Sequence, residues 1–137
     1  MSEFRWPVRV YYEDTDSGGV VYYANYLRFM ERARTEWLRA LGFEQDRLAE
    51  EEGVIFAVRS AQIDYLRPAR FNDLLEVSVR LTECRRASFE FEQAVFPAGE
   101  TARPCCTGRI RVACIDSRSL KPRPLPTAIA MEMKNAD

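Results

Sequence analysis

With 137 residues, 47% of them hydrophobic and 30% charged, the chain has the make-up of a soluble globular protein and the length for one domain spanning residues 1–137. The formal charge of −1 gives no global electrostatic reason to bind nucleic acid, and no apolar run approaches the roughly 18 residues of a membrane span. Histidine is absent, which excludes a Ser/His/Asp triad, a Cys–His pair and any imidazole base.

The N-terminal stretch MSEFRWPVRV has no cationic-then-apolar leader and passes straight into strand-like sequence, so a cytoplasmic location is expected. Residues 4–12 alternate apolar and polar positions after Pro7 and predict a first strand. Residues 13–19 are turn chemistry: acidic residues, Thr15, Ser17, Gly18 and Gly19. From about Tyr22 to Leu41, Tyr26, Phe29, Met30, Ala33, Trp37, Leu38 and Leu41 recur at spacings of three and four. That pattern predicts one long amphipathic helix, with Arg32–Glu36 supporting its outer side and Gly42 placed to end it. Residues 44–52 suggest a short solvated helical turn, with Glu50–Glu52 on the surface.

After Gly53 the pattern changes to strands at 54–66, 73–84, 87–97 and 105–116, rich in Val, Ile, Phe and Tyr. The proline-rich stretch 122–126 ends the sheet, a short helix follows to about Met133, and the tail Asn135–Asp137 frays. One strand, one long helix and then an antiparallel meander make an α+β plan, with the concave face of the sheet around the helix. Cys84, Cys105, Cys106 and Cys114 form no CxxC pair and have no histidine to join them. A zinc site is therefore not expected, and the thiols read as reduced and structural.

The segment 12–37, YYEDTDSGGVVYYANYLRFMERARTE, is the most informative. A double-aspartate turn runs through two glycines into the start of the helix. It can set Asp14 or Asp16 beside the unpaired N–H groups around Val21–Ala24, which favour developing negative charge. A carboxylate beside such donors suits hydrolysis of an activated carbonyl. Either aspartate could instead simply shape the turn. Tyr26, on the apolar face, belongs to the core, whereas Tyr23 matters for its backbone N–H. Adjacent Arg85 and Arg86 at a predicted turn are either solvated or a local, bidentate clamp for phosphate.

These residues closely resemble the hot-dog-fold acyl-CoA thioesterases of the 4-hydroxybenzoyl-CoA thioesterase family, in their bacterial Tol–Pal-associated branch. The resemblance runs from FRWPVRVYYEDTD through VVYYANYLRFMERARTEWLR, YLRPARFNDLLEV and RRASF to KPRPLP, almost the whole chain. It implies a hot-dog fold, an antiparallel sheet wrapped around one long central helix, and hydrolysis of an acyl-CoA thioester to free acid and coenzyme A. Of the two aspartates it selects Asp16, as nucleophile or general base, and it assigns the oxyanion donor to the Tyr23 N–H. Arg85 and Arg86, with Ser88 nearby, would hold the nucleotide phosphates, and Val58 and Arg59 would line the pantetheine channel. No cofactor or metal is implied.

Family members build the site between two subunits, so a homodimer, or a homotetramer made as a dimer of dimers, is expected. An acyl carrier protein is a further candidate partner. The Tol–Pal branch usually carries histidine where this chain has Tyr23, and the hydroxybenzoyl branch carries tyrosine. A route through imidazole is closed here; the aspartate-plus-amide route stands. The rival class is a binding or scaffold protein for acyl-carrier or cell-envelope partners, with little turnover. A hot-dog dehydratase is disfavoured, because that chemistry relies on histidine.

Overall fold

The computed structural model describes residues 3–136. Its alternating segments form strands β1 (Phe4–Arg9), β2 (Val54–Tyr65), β3 (Leu74–Cys84), β4 (Ser88–Pro97) and β5 (Cys106–Asp116). They make one antiparallel five-stranded sheet in the order β1-β3-β4-β5-β2. The helices are α1 (Asn25–Ala40), α2 (Gln45–Glu51) and α3 (Thr127–Ala136).

Period-two alternation gives the sheet one apolar face. Leu75, Val77, Val79 and Leu81 of β3 and Phe89, Phe91 and Val95 of β4 are buried, while Glu76, Arg80, Glu90 and Glu92 between them turn away. The apolar stripe of α1 lies against that face, with Phe29, Met30 and Ala33 fully buried. This is the expected hot-dog arrangement. Trp37 of α1 meets Phe91 edge-on at 5.1 Å, and Phe89 meets Phe91 in the same way at 5.3 Å. Each large side chain so buried contributes roughly 1.5–3 kcal/mol. Space for α1 is made at Gly108 of β5, where a Cβ would stand 2.9 Å from Ile63 Cδ1 and 3.0 Å from Met30 Sδ.

Several expectations change in detail. Only β3, β4 and β5 form the meander; β2 crosses to the far edge and pairs with β5 rather than β3. Strand periodicity fixes which face of a strand is buried and not which strand lies alongside it, so it carries no information on this order. The helix begins at Asn25 rather than Tyr22, because the Tyr22 N–H is held by the Asp14 carbonyl at 2.9 Å. It ends as expected: Gly42 adopts φ +100° and the Phe43 N–H returns to the Leu38 carbonyl at 3.0 Å. Glu36 pairs with Arg39 instead of Arg32. α3 continues past Met133 through Asn135 and Ala136, anchored by buried Ile129 and Met133 one turn apart; Asp137 lies outside the described residues. β5 begins at Cys106 rather than at residue 105, and Cys105 and Cys106 are both buried.

The two edges of the sheet differ. β1 is short and carries Pro7, which cannot donate a ladder bond. β2 is twice as long, its residues 58–62 are exposed, and no strand lies beyond it among the described residues.

Candidate active site

The acidic turn is built by a small backbone ladder ahead of α1. Thr15 bridges Val21, the Asp16 N–H reaches the Val20 carbonyl at 2.9 Å, and Gly19 closes the turn at φ +78°. A second layer holds this loop from behind. The Val21 N–H donates to the Ala69 carbonyl at 2.8 Å, Val20 bridges Arg70, and the Ala69 N–H donates to the Tyr26 hydroxyl at 3.1 Å. The first turn of α1 and the acidic loop are thus tied through one backbone segment.

The two aspartates, equivalent on paper, occupy different environments. Asp14 is 7% exposed; its Oδ2 accepts the Tyr11 N–H at 2.8 Å, and its carbonyl accepts Tyr22 N–H and Asn25 Nδ2 at 2.9 Å each. It is a structural residue. Asp16 is exposed; Oδ1 accepts the Gly18 N–H at 2.8 Å, and Oδ2 has no donor among the described residues. α1 starts without a side-chain cap, since Ala24 occupies the N-cap position. Among the described residues the Tyr23 N–H has no acceptor, so it stands available where the helix dipole is positive.

Aromatic rings surround this point. Tyr23 is 60% exposed and lies 4.9 Å from the Tyr22 ring and 6.0 Å, edge-on, from Tyr65. The Tyr23 phenol raises the pKa of Tyr22, and burial raises those of Tyr26 and Tyr65. These three phenols stay neutral at physiological pH.

The remaining expected residues lie along and across the sheet. Val58 faces the helix side of β2, opposite Val112, and is 52% exposed; Arg59 sits at a bulge between Val58 and Ser60. Arg85 and Arg86 form the exposed β3–β4 turn, closed by the Arg85 N–H on the Ser88 carbonyl at 2.7 Å. The Arg85 guanidinium is engaged by Glu83. The Arg86 carbonyl accepts the Leu125 N–H at 2.9 Å, and the residue is exposed. Tyr65, beside Tyr23, pairs with Cys106, whereas Phe89, just after the arginine turn, pairs with Val112; that span along β5 is roughly 20 Å. Within one chain, therefore, the structure brings Asp16 and Tyr23 into one loop but leaves Arg85, Arg86 and Ser88 at the opposite end of the sheet.

One residue escaped the sequence reading. Arg34 is half-buried between α1 and the sheet, its Nη1 donating to Gln93 Oε1 at 3.0 Å, and burial pushes its pKa down to about 10. The signal was present: Tyr26, Met30, Arg34 and Leu38 follow at intervals of four, so a charge sits on the apolar stripe.

The thioesterase-like superfamily model matches residues 10–132. The chain is 47% identical to the acyl-CoA thioester hydrolase YbgC of Escherichia coli O6:H1 over 96% of both chains. It is 44% identical to the acyl-CoA thioesterase YbgC of Haemophilus influenzae over 92% of this chain and 90% of that one. Among solved structures, a probable thioesterase of Bartonella henselae superposes with TM-score 0.85 at 38% identity, covering 91% of this chain and all of that one. The 1,4-dihydroxy-2-naphthoyl-CoA thioesterase of Synechocystis superposes with TM-score 0.88 at 25% identity, covering 98% and 97%.

Proposed function

The chain belongs to the thioesterase-like superfamily, and on that footing we propose that it hydrolyses acyl-CoA thioesters to a carboxylic acid and coenzyme A, with Asp16 as its working carboxylate. The carbonyl oxygen of the thioester accepts the Tyr23 N–H, and the positive end of α1 stabilises the charge that develops there. As a general base, Asp16 takes a proton from water while the water oxygen bonds to the carbonyl carbon. Collapse of the tetrahedral oxyanion breaks the C–S bond, and the thiolate leaves and is protonated. As a nucleophile, Asp16 instead expels the thiolate directly, and water then cleaves the mixed anhydride. Both routes need the same two groups.

A homodimer accounts for the separation between the reacting groups and the arginines. Antiparallel pairing of two β2 edges sets the Val54 end of one strand beside the Tyr65 end of the other. The arginine turn of one subunit then approaches the Asp16 loop of its partner, where Arg85, Arg86 and Ser88 hold the coenzyme phosphates and Val58 and Arg59 line the arm between. The long exposed β2 edge supports this pairing, since an uncovered edge of that length is a template for another strand. Two such dimers would make the tetramer.

The observation carrying the proposal is the open Oδ2 of Asp16 in the same short loop as the acceptor-free Tyr23 N–H. The test is thiol release from a panel of short, long, branched and aromatic acyl-CoAs by wild type and Asp16→Asn. Loss of a positioned acid–base group lowers kcat by about 10²–10⁴-fold. Unchanged turnover in the variant removes Asp16 from the mechanism.

A further inference from the structure

Resting on the hydrolase reading above, we propose that Arg34 is a specificity-determining residue that binds a carboxylate at the far end of the acyl group, so that the preferred substrates are medium-chain ω-carboxyacyl-CoAs. Two adjoining cavities, of about 330 and about 120 Å³, form a groove between α1 and β2 and share Glu31, Arg34 and Val58. The groove opens at Leu27, one helical turn beyond Tyr23, and ends among Leu38, Phe56 and Phe91. Leu27, Val58, Ala61, Ile110, Phe56 and Phe91 give it apolar walls that suit methylene groups. Its charged groups are Arg28 at the wide end and Glu31 and Arg34 where the two cavities join.

That guanidinium has donors to spare. One N–H meets Gln93 Oε1 at 3.0 Å, and among the described residues no carboxylate lies within ion-pair distance. Glu31, the acid whose charge it feels most, is turned to the Thr35 hydroxyl at 2.8 Å. Gln93 is not a mobile neighbour: it is 3% exposed, and its Nε2 donates to the Met30 carbonyl at 3.0 Å. Arg34 is therefore held in place at the level of Met30. A half-buried cation without an anionic partner is costly, and the lowered pKa reports that cost. A planar guanidinium with open N–H groups is matched to a carboxylate, which it binds bidentately.

Length follows from the helix. Tyr23 and Met30 are separated by roughly 10 Å along the axis, a span covered by an acyl chain of roughly seven to nine carbons. The experiment compares kcat/KM for an eight-carbon ω-carboxyacyl-CoA and for octanoyl-CoA with wild type, Arg34→Gln and Arg34→Lys. Wild type should prefer the ω-carboxy substrate, and Arg34→Gln should lower the ratio of the two by about tenfold or more, with Arg34→Lys between them. A loss shared equally by both substrates, or a wild type that disfavours the ω-carboxy substrate, overturns the proposal. A partner-subunit acid already neutralising Arg34 would produce the second result. Binding of the non-hydrolysable ω-carboxyalkyl-CoA thioether, by calorimetry, separates the two readings. Arg34-dependent binding without hydrolysis of any acyl-CoA sinks the hydrolase; hydrolysis of octanoyl-CoA without Arg34-dependent preference sinks only the specificity.

Discussion

Replacing Tyr26 by Phe removes one oxygen from the core and little else. Tyr26 is 4% exposed, and its hydroxyl accepts the N–H of Ala69, itself 1% exposed, at 3.1 Å. Phe keeps the ring and its edge-on contact with Phe29 at 6.1 Å, so no large cavity opens. What disappears is the acceptor. A buried donor left unsatisfied costs about 1–3 kcal/mol, which in a chain of this size corresponds to a Tm lower by roughly 3–9 °C. Ala69 also accepts the Val21 N–H, so the same variant loosens the loop that carries Asp16, and kcat should fall along with stability. Urea unfolding measures the first effect, as a lower midpoint at unchanged slope. Tyr65→Phe is the control: Tyr65 is 47% exposed, and its change should stay within about 0.5 kcal/mol. If Tyr26→Phe matches that control, the hydroxyl does not anchor the Ala69 segment and the account of loop positioning is wrong.

Asp14→Ala should cost about 1–2 kcal/mol by freeing the Tyr11 N–H, whereas Asp16→Asn should shift the urea midpoint by less than about 0.5 kcal/mol; equal effects on stability would erase the distinction between them. Asp116 is held below the ordinary carboxylate range by the Ser119 and Arg118 N–H groups. Its contribution is present above that range and lost as pH falls through its folded pKa, so Asp116→Asn should show a shallower loss of stability below about pH 5, followed by urea midpoints at successive pH values. Burial raises the Cys105 and Cys114 thiols and pushes Cys106 up to about 12. At pH 8 these three should react with a thiol reagent only after unfolding; rapid reaction of the native protein would contradict their burial.

Much of the architecture was legible because it is local. The three-and-four spacing from Tyr26 to Leu38 specifies α1, period-two runs specify the strands, and the Asp-Thr-Asp-Ser-Gly-Gly turn leading into the helix marks the end proposed to react. The lack of histidine narrows the chemistry before any fold is known. Other features depend on which distant segments meet, and periodicity is silent about that. It describes a strand's two faces and not its neighbours, so the crossing of β2 to the far edge is visible only in the assembled sheet. The two aspartates are indistinguishable by type and spacing; the Tyr11, Tyr22 and Asn25 contacts made Asp14 structural and left Asp16 open. The roughly 20 Å between the Tyr23 loop and the arginine turn is likewise a property of strand register. Arg34 shows both levels at once: its place on the stripe is written in the chain, but the absence of an acid opposite it is decided by the sheet it packs against.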